Sequence, residues 1–178
     1  MTEESAAELN QNPMLMPRID KVTINIGVGK SGEPLDKATR ILKQLVGQEP
    51  CKRIAKKTVR DFGIRKGEPI ACMVTLRKDK ALGFLKRALQ AVDNKISKDC
   101  FDRTGNFSFG IKGHIEIPGT KYVPELGIVG MDVSVSVVRP GGRVKKRRRH
   151  TSNIGKRHVL SPEESVPFVK EKLTVEIV

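Results

Sequence analysis

Within residues 24–34, INIGVGKSGEP, the tripeptide Gly29-Lys30-Ser31 has the composition of a phosphate-binding loop. In such a loop, backbone N–H groups and a lysine cradle the phosphates of a nucleotide. The chemistry would be ATP or GTP binding. The full pattern, G-x-x-x-x-G-K-[ST], requires a glycine at position 24, where the chain has Ile24. The entry is right, because KVTINI alternates like a strand, but the exit is wrong. Gly32 and Pro34 follow at once, proline withdraws an N–H of the kind that should face phosphate, and Glu33 would set a carboxylate beside the anion. This leaves a strand that ends in a Gly-rich turn. A P-loop-like NTPase stays as an alternative, which detectable ATP or GTP binding would revive.

No other residues are spaced for catalysis. Asp61, Glu68 and Asp79 form no carboxylate pair, and His114, His150 and His158 have no evident nucleophile. The histidines read as RNA contacts or surface residues. Cys51, Cys72 and Cys100 are odd in number and far apart, without a CxxC, so they read as buried reduced thiols. The sequence implies no enzyme, no metal and no cofactor.

Charge is more informative. The 178 residues carry a net charge of +14, and 16 of the 34 Lys and Arg fall in two short stretches. Residues 51–67 hold Lys52, Arg53, Lys56, Lys57, Arg60, Arg65 and Lys66 against Asp61 alone. Residues 139–157 hold Arg139, Arg143, Lys145, Lys146, Arg147, Arg148, Arg149, Lys156 and Arg157 with no acid. Extended basic loops of this kind neutralise phosphates and release counterions. Five adjacent like charges at 145–149 repel one another without a polyanionic partner. Aromatic residues make up only 4%, so base stacking cannot be the main recognition device. No stretch reaches the ~18 apolar residues of a membrane span, and the polar, acidic start is unlike a targeting signal. The expected location is the cytoplasm, with no membrane partner.

The elements that must position these charges can be read from hydrophobic rhythm. Val22, Ile24 and Ile26 alternate with Lys21, Thr23 and Asn25; Cys72, Val74 and Leu76 alternate with Met73, Thr75 and Arg77. FSFGI and VSVSVV give two more strands, with Phe107, Phe109 and Ile111 facing the core. Leu35, Ala38, Ile41, Leu42, Leu45 and Val46 form a helical stripe between Pro34 and Gly47. A second stripe comprises Ala81, Leu82, Leu85, Ala88, Leu89 and Val92. Ser161-Pro162-Glu163-Glu164 is a capping box opening a third helix, which Pro167 should kink or shorten.

One apolar and one polar face per strand predicts an α+β fold: an antiparallel sheet with helices packed on one face. The open face and the basic loops would bind RNA. That face would be lined by small hydroxyl and amide groups, with few bulky side chains and no carboxylate among Lys21, Thr23, Asn25, Thr75, Arg77, Ser134 and Ser136. Residues 1–12 read as a flexible acidic N-terminal extension. Residues 13–178 read as one domain with basic loops at 51–67 and 139–158.

The motifs KVTINIGVG, LVGQEP, KKTVRDFGIRKGEPI, MVTLR, FDRTGNFSFGI and GIVGMDVSV occur in the order of the ribosomal protein L5 family of the large subunit. SFGIKGHI and RPGGRVKKRRRHTSNIGKRH resemble its archaeal and eukaryotic branch. The resemblance spans residues 13–178 and implies binding of 5S rRNA and its attachment to the large rRNA in the central protuberance. It further implies contact with P-site tRNA, with neighbouring large-subunit proteins, and with a small-subunit head protein through an intersubunit bridge. The family's RNA-contact positions fall on Asn25, Gln48, Thr75 and Arg77; Lys52, where the family commonly has a small apolar residue, and Arg143, Lys145, Lys146, Arg147, Arg148 and Arg149 of the basic loop are expected to join them. The segment with Lys56, Lys57, Arg60, Arg65 and Lys66 matches the part that approaches tRNA. A free basic RNA-binding or RNA-chaperone protein is the competing class, which equal affinity for any structured RNA would favour.

Overall fold

A computed structural model describes residues 12–177. Apart from Asn12, the proposed acidic extension lies outside the described residues.

Five strands, β1 (Arg18–Gly27), β2 (Cys51–Ile54), β3 (Pro69–Leu76), β5 (Phe107–Ile111) and β6 (Met131–Val138), build one antiparallel sheet in the order β2-β3-β1-β6-β5. Three helices cover it: α1 (Glu33–Val46), α2 (Lys78–Gln90) and α4 (Pro162–Leu173). The predicted α+β class is the observed one. Two short strands, β4 (Lys95–Ile96) and β7 (Glu176–Ile177), pair in parallel outside this sheet, and the strand rhythm does not announce them.

The alternating Val, Ile and Phe side chains of β1, β3, β5 and β6 join the helix stripes in one core cluster. Val22, Ile24 and Ile26 at its centre are fully buried, which removes the polar alternates of the same strands from the core by geometry. In α1 the stripe is as predicted, and Gly47 closes the helix in the left-handed conformation at φ 69. In α2 Phe84 is buried, whereas Leu82 and Val92 flank the contact and are half-buried.

α4 runs for 12 residues through Pro167 rather than stopping there. Proline deprives the Glu163 carbonyl of its helical donor, but Glu163 and Pro167 are both exposed, so water can replace it. The capping carboxylate is in place, with the Ser161 N–H donating to Glu164.

Candidate nucleic-acid interface

The face away from the helices is ordered by strand register. Thr75 lies opposite Thr23, Thr23 opposite Ser134, and Ser134 opposite Ser108. Four hydroxyls from β3, β1, β6 and β5 thus form one row about 14 Å long, given a strand spacing of ~4.8 Å. A second row runs Cys51, Met73, Asn25, Asp132 and Gly110. None of the four hydroxyls makes a hydrogen bond within the described residues, so each can donate to or accept from a ligand. Asn25, Thr75 and Arg77 are therefore brought onto one surface. Asp132 adds a carboxylate to this face, because the even-numbered parity of β6 that presents Ser134 also presents its neighbour two residues back.

Asp20 is a second carboxylate that the pattern hides. Ile19 pairs with Val137 and Lys21 with Ser136, so Asp20 is the extra residue of a β-bulge. In uninterrupted alternation it would share the core face with Val22. The bulge instead lets its carboxylate accept from Arg77 Nη1 at 3.1 Å and from Lys146 Nζ at 3.2 Å. Partial burial works to raise the Asp20 pKa, but the Lys146 hydrogen bond and charge and the Arg77 charge outweigh it and hold the group below its usual range. Asp20 thereby ties the end of the sheet to the basic loop.

That loop, residues 139–158, is closed at its base by a buried arginine. Arg139 is 6% exposed. Its Nε donates to the Leu15 carbonyl, Nη1 to the Arg157 carbonyl and Nη2 to Glu164 Oε1, each at 3.0 Å. His158 Nε2 lies 2.8 Å from the Pro140 carbonyl across the same base. The loop contains two short helical turns, α3 (Arg143–Lys146) and a 3-10 turn (Lys156–His158), and its cations from Lys145 to Arg149 are exposed. Arg147 Nε donates to the His150 carbonyl, which orients it without neutralising it.

Residues 55–68 leave the opposite end of the sheet. Here the structure differs from an extended loop: they form a hydrogen-bonded hairpin arm. Ala55 and Glu68 pair, Val59 and Ile64 exchange both hydrogen bonds, and the Gly63 N–H closes the tip on the Arg60 carbonyl. Gly63 adopts φ 66, which suits a residue without Cβ at that turn. Phe62 projects from the tip at 74% exposure among Arg60, Arg65 and Lys66. Charge alone does not single out Phe62, although an aromatic in a basic turn is itself a signal.

Two proposed residues stand apart. Lys52 lies opposite Cys72, hence on the helix side, and its Nζ is 2.7 Å from Asp36 of α1. Its neighbour Arg53, opposite Ala71, has the parity of the open face. Gln48 is half-buried in the turn between α1 and β2.

The phosphate-loop fragment is otherwise engaged. The N–H groups of Val28 and Gly29 both donate to the Ile70 carbonyl, and the Ser31 hydroxyl donates to Glu68. His114 is buried rather than superficial; its Nδ1 accepts from the Val129 N–H, and burial lowers its pKa. Of the cysteines, Cys72 is buried, Cys100 half-buried and Cys51 exposed, because β2 is an edge strand uncovered on its outer face. No His, Cys, Asp and Glu cluster suited to a metal occurs among the described residues.

Comparison with known proteins gives consistent matches across this architecture. The model of the family described as ribosomal protein L5 matches residues 12–65, and the model of that family's C-terminus matches residues 69–168. A large ribosomal subunit protein uL5 of Pyrobaculum aerophilum is 54% identical, over 93% of this chain and 93% of the relative. The uL5 protein of Sulfurisphaera tokodaii is 52% identical over 94% and 95% of the two chains. That of Nitrosopumilus maritimus is 42% identical over 96% and 99%.

Proposed function

This chain belongs to the ribosomal protein L5 family, and from that premise we propose that its open sheet face binds 5S rRNA and attaches it to the large rRNA. The coarser function follows from membership itself. The chain is a structural constituent of the large ribosomal subunit, an rRNA-binding protein of translation that works in the cytoplasm on the ribosome, and not an enzyme.

The observation that carries the finer reading is the hydroxyl row with Arg77 at its border. Hydroxyls at strand spacing can donate to phosphates and exchange hydrogen bonds with 2′-hydroxyls, the group that distinguishes RNA from DNA. Arg77 adds a planar fork for phosphate, and Asp20 holds that fork in place. Asn25 and Thr75 complete the surface. Arg143 and Lys145 to Arg149 would grip rRNA phosphates beside it; Gln48 would touch RNA from the turn before β2, and Lys52 only by leaving Asp36. Thr75→Val and Arg77→Ala should each weaken 5S rRNA binding by about 1–3 kcal/mol, with unchanged thermal unfolding because neither side chain packs in the core. Arg77→Ala should be the worse of the two, since it leaves Asp20 facing the RNA. A gel-shift titration in which Arg77→Ala binds like the parent rules out this assignment.

The hairpin arm is proposed to reach P-site tRNA, with Lys56, Lys57, Arg60, Arg65 and Lys66 on phosphates and Phe62 against an exposed base. Stacking of this kind contributes about 1–3 kcal/mol per base. Ribosomes carrying Phe62→Ala should release P-site tRNA roughly fivefold or more faster, that energy range being the whole effect. Release at the parent rate would remove Phe62 from the contact. A small-subunit head protein and neighbouring large-subunit proteins complete the proposed set of partners.

A further inference from the structure

We propose that the cleft between the Asp20 end of the sheet and the basic loop receives one unstacked nucleotide of an RNA strand, with its phosphate between Arg77 and Lys146 and its base against an aliphatic wall. The inference rests on the reading of this face as RNA-binding and adds a site of a different kind, one that reads a single nucleotide.

The cleft encloses about 660 Å3, within the roughly 300–1,000 Å3 typical of small-ligand sites. An A-form duplex offers its backbone and a shallow groove to such a surface and cannot enter, whereas an unpaired nucleotide can. The lining is strongly cationic, with Arg18, Lys21, Arg77, Arg143, Lys145 and Lys146, and Asp20 is the one carboxylate among its residues. It also carries aliphatic surface: Val138 and Ile154 are half-buried and Val159 is 42% exposed. A site for phosphate alone gains nothing from that surface; a base covers it and removes apolar area from water.

Asp20 prepares the site without filling it. Each carboxylate oxygen takes one N–H from Arg77 or Lys146. A guanidinium has five donors and an ammonium three, so both cations keep donors for a phosphate. The ion pairs fix the positions of two long side chains before RNA arrives, which lowers the ordering cost of binding.

The test uses the full chain with isotopically labelled methyl groups, titrated with each of the four nucleoside 5′-monophosphates. The methyl signals of Val138, Ile154 and Val159 should shift saturably, and nucleoside alone or inorganic phosphate should shift them at least tenfold more weakly. Ile154→Trp fills the cleft from its aliphatic lining, and Val159→Trp does so from a second position should the first disturb the loop. Either should lower nucleotide affinity, and 5S rRNA affinity, by roughly tenfold, equivalent to 1.4 kcal/mol, while binding of an unrelated RNA duplex is unchanged. Equal shifts from inorganic phosphate would reduce the cleft to an anion site, and stronger shifts from an acidic peptide would assign it to a protein partner; both overturn the proposal. So does normal 5S rRNA binding by the two filled variants. If the parent fails to bind 5S rRNA, the underlying reading fails instead, and the mononucleotide titration still decides the cleft.

Discussion

Replacing Lys145, Arg147, Arg148 and Arg149 together by Gln should flatten the salt dependence of 5S rRNA binding by roughly three log–log units, given about 0.7–0.9 per neutralised phosphate. The four side chains are exposed and meet no carboxylate among the described residues, unlike Lys146, which pairs with Asp20. Four cations are therefore left to answer phosphates. They lie on a loop outside the sheet, so under the proposed reading they would supply affinity while the hydroxyl row would supply selectivity. The loss should fall equally on 5S rRNA and on an unrelated structured RNA, leaving the ratio of affinities nearly constant across a salt series. Selective loss of 5S rRNA binding with an intact slope would mean that the loop reads sequence or shape.

Arg139→Met should destabilise the fold by about 3 kcal/mol, the lower end of what breaking a buried ion pair costs. The substitution keeps volume but strands three acceptors: the Leu15 and Arg157 carbonyls and Glu164. Glu164 is 31% exposed, so water recovers part of the loss. With a urea m-value of about 2 kcal/mol/M, the midpoint should fall by roughly 1.5 M at unchanged m. Adding Glu164→Gln should cost little more, because the carboxylate has already lost its cation and an amide oxygen can still accept from the Ser161 N–H. A midpoint shift below about 0.5 M, under the same m-value, would show that the clasp contributes little. Arg139 thus differs in kind from the other cations of its segment. They are exposed to solvent, and it faces inward.

Arg139 also shows where reading the sequence stops. Alternation identifies Val22, Ile24, Cys72, Val74, Phe107 and Phe109 as core residues because period-two patterning is local and each strand declares its own faces. Thr75 and Arg77 follow as their complement. Local patterning cannot reveal which Arg in a basic run is buried, since that depends on Leu15 and Glu164 arriving from distant parts of the chain. The bulge at Asp20 is invisible for a related reason. One unpaired residue changes parity without changing composition, so Asp20 reads as an interior position when it is in fact the anchor of two cations. The hairpin arm escapes the pattern because its pairing joins few residues, Val59 with Ile64 and Ala55 with Glu68, and charge obscures them.

The arm and the basic loop leave opposite ends of the same sheet, the arm from β2 and β3 and the loop from β6: β3 begins where the arm returns and ends beside Arg77, about 25 Å away at strand rise. Pulling on the arm while RNA holds the other end would therefore load the sheet along its strands. In that direction the ladder between β1 and β3, six residue pairs from Val22–Leu76 to Gly27–Ala71, bears the force in shear. All its hydrogen bonds then share the load, rather than opening one after another as they would under a peeling force. A tug at the hairpin tip is thus delivered to the far edge with little stretch between, which makes the sheet a stiff tie-rod between its two grips.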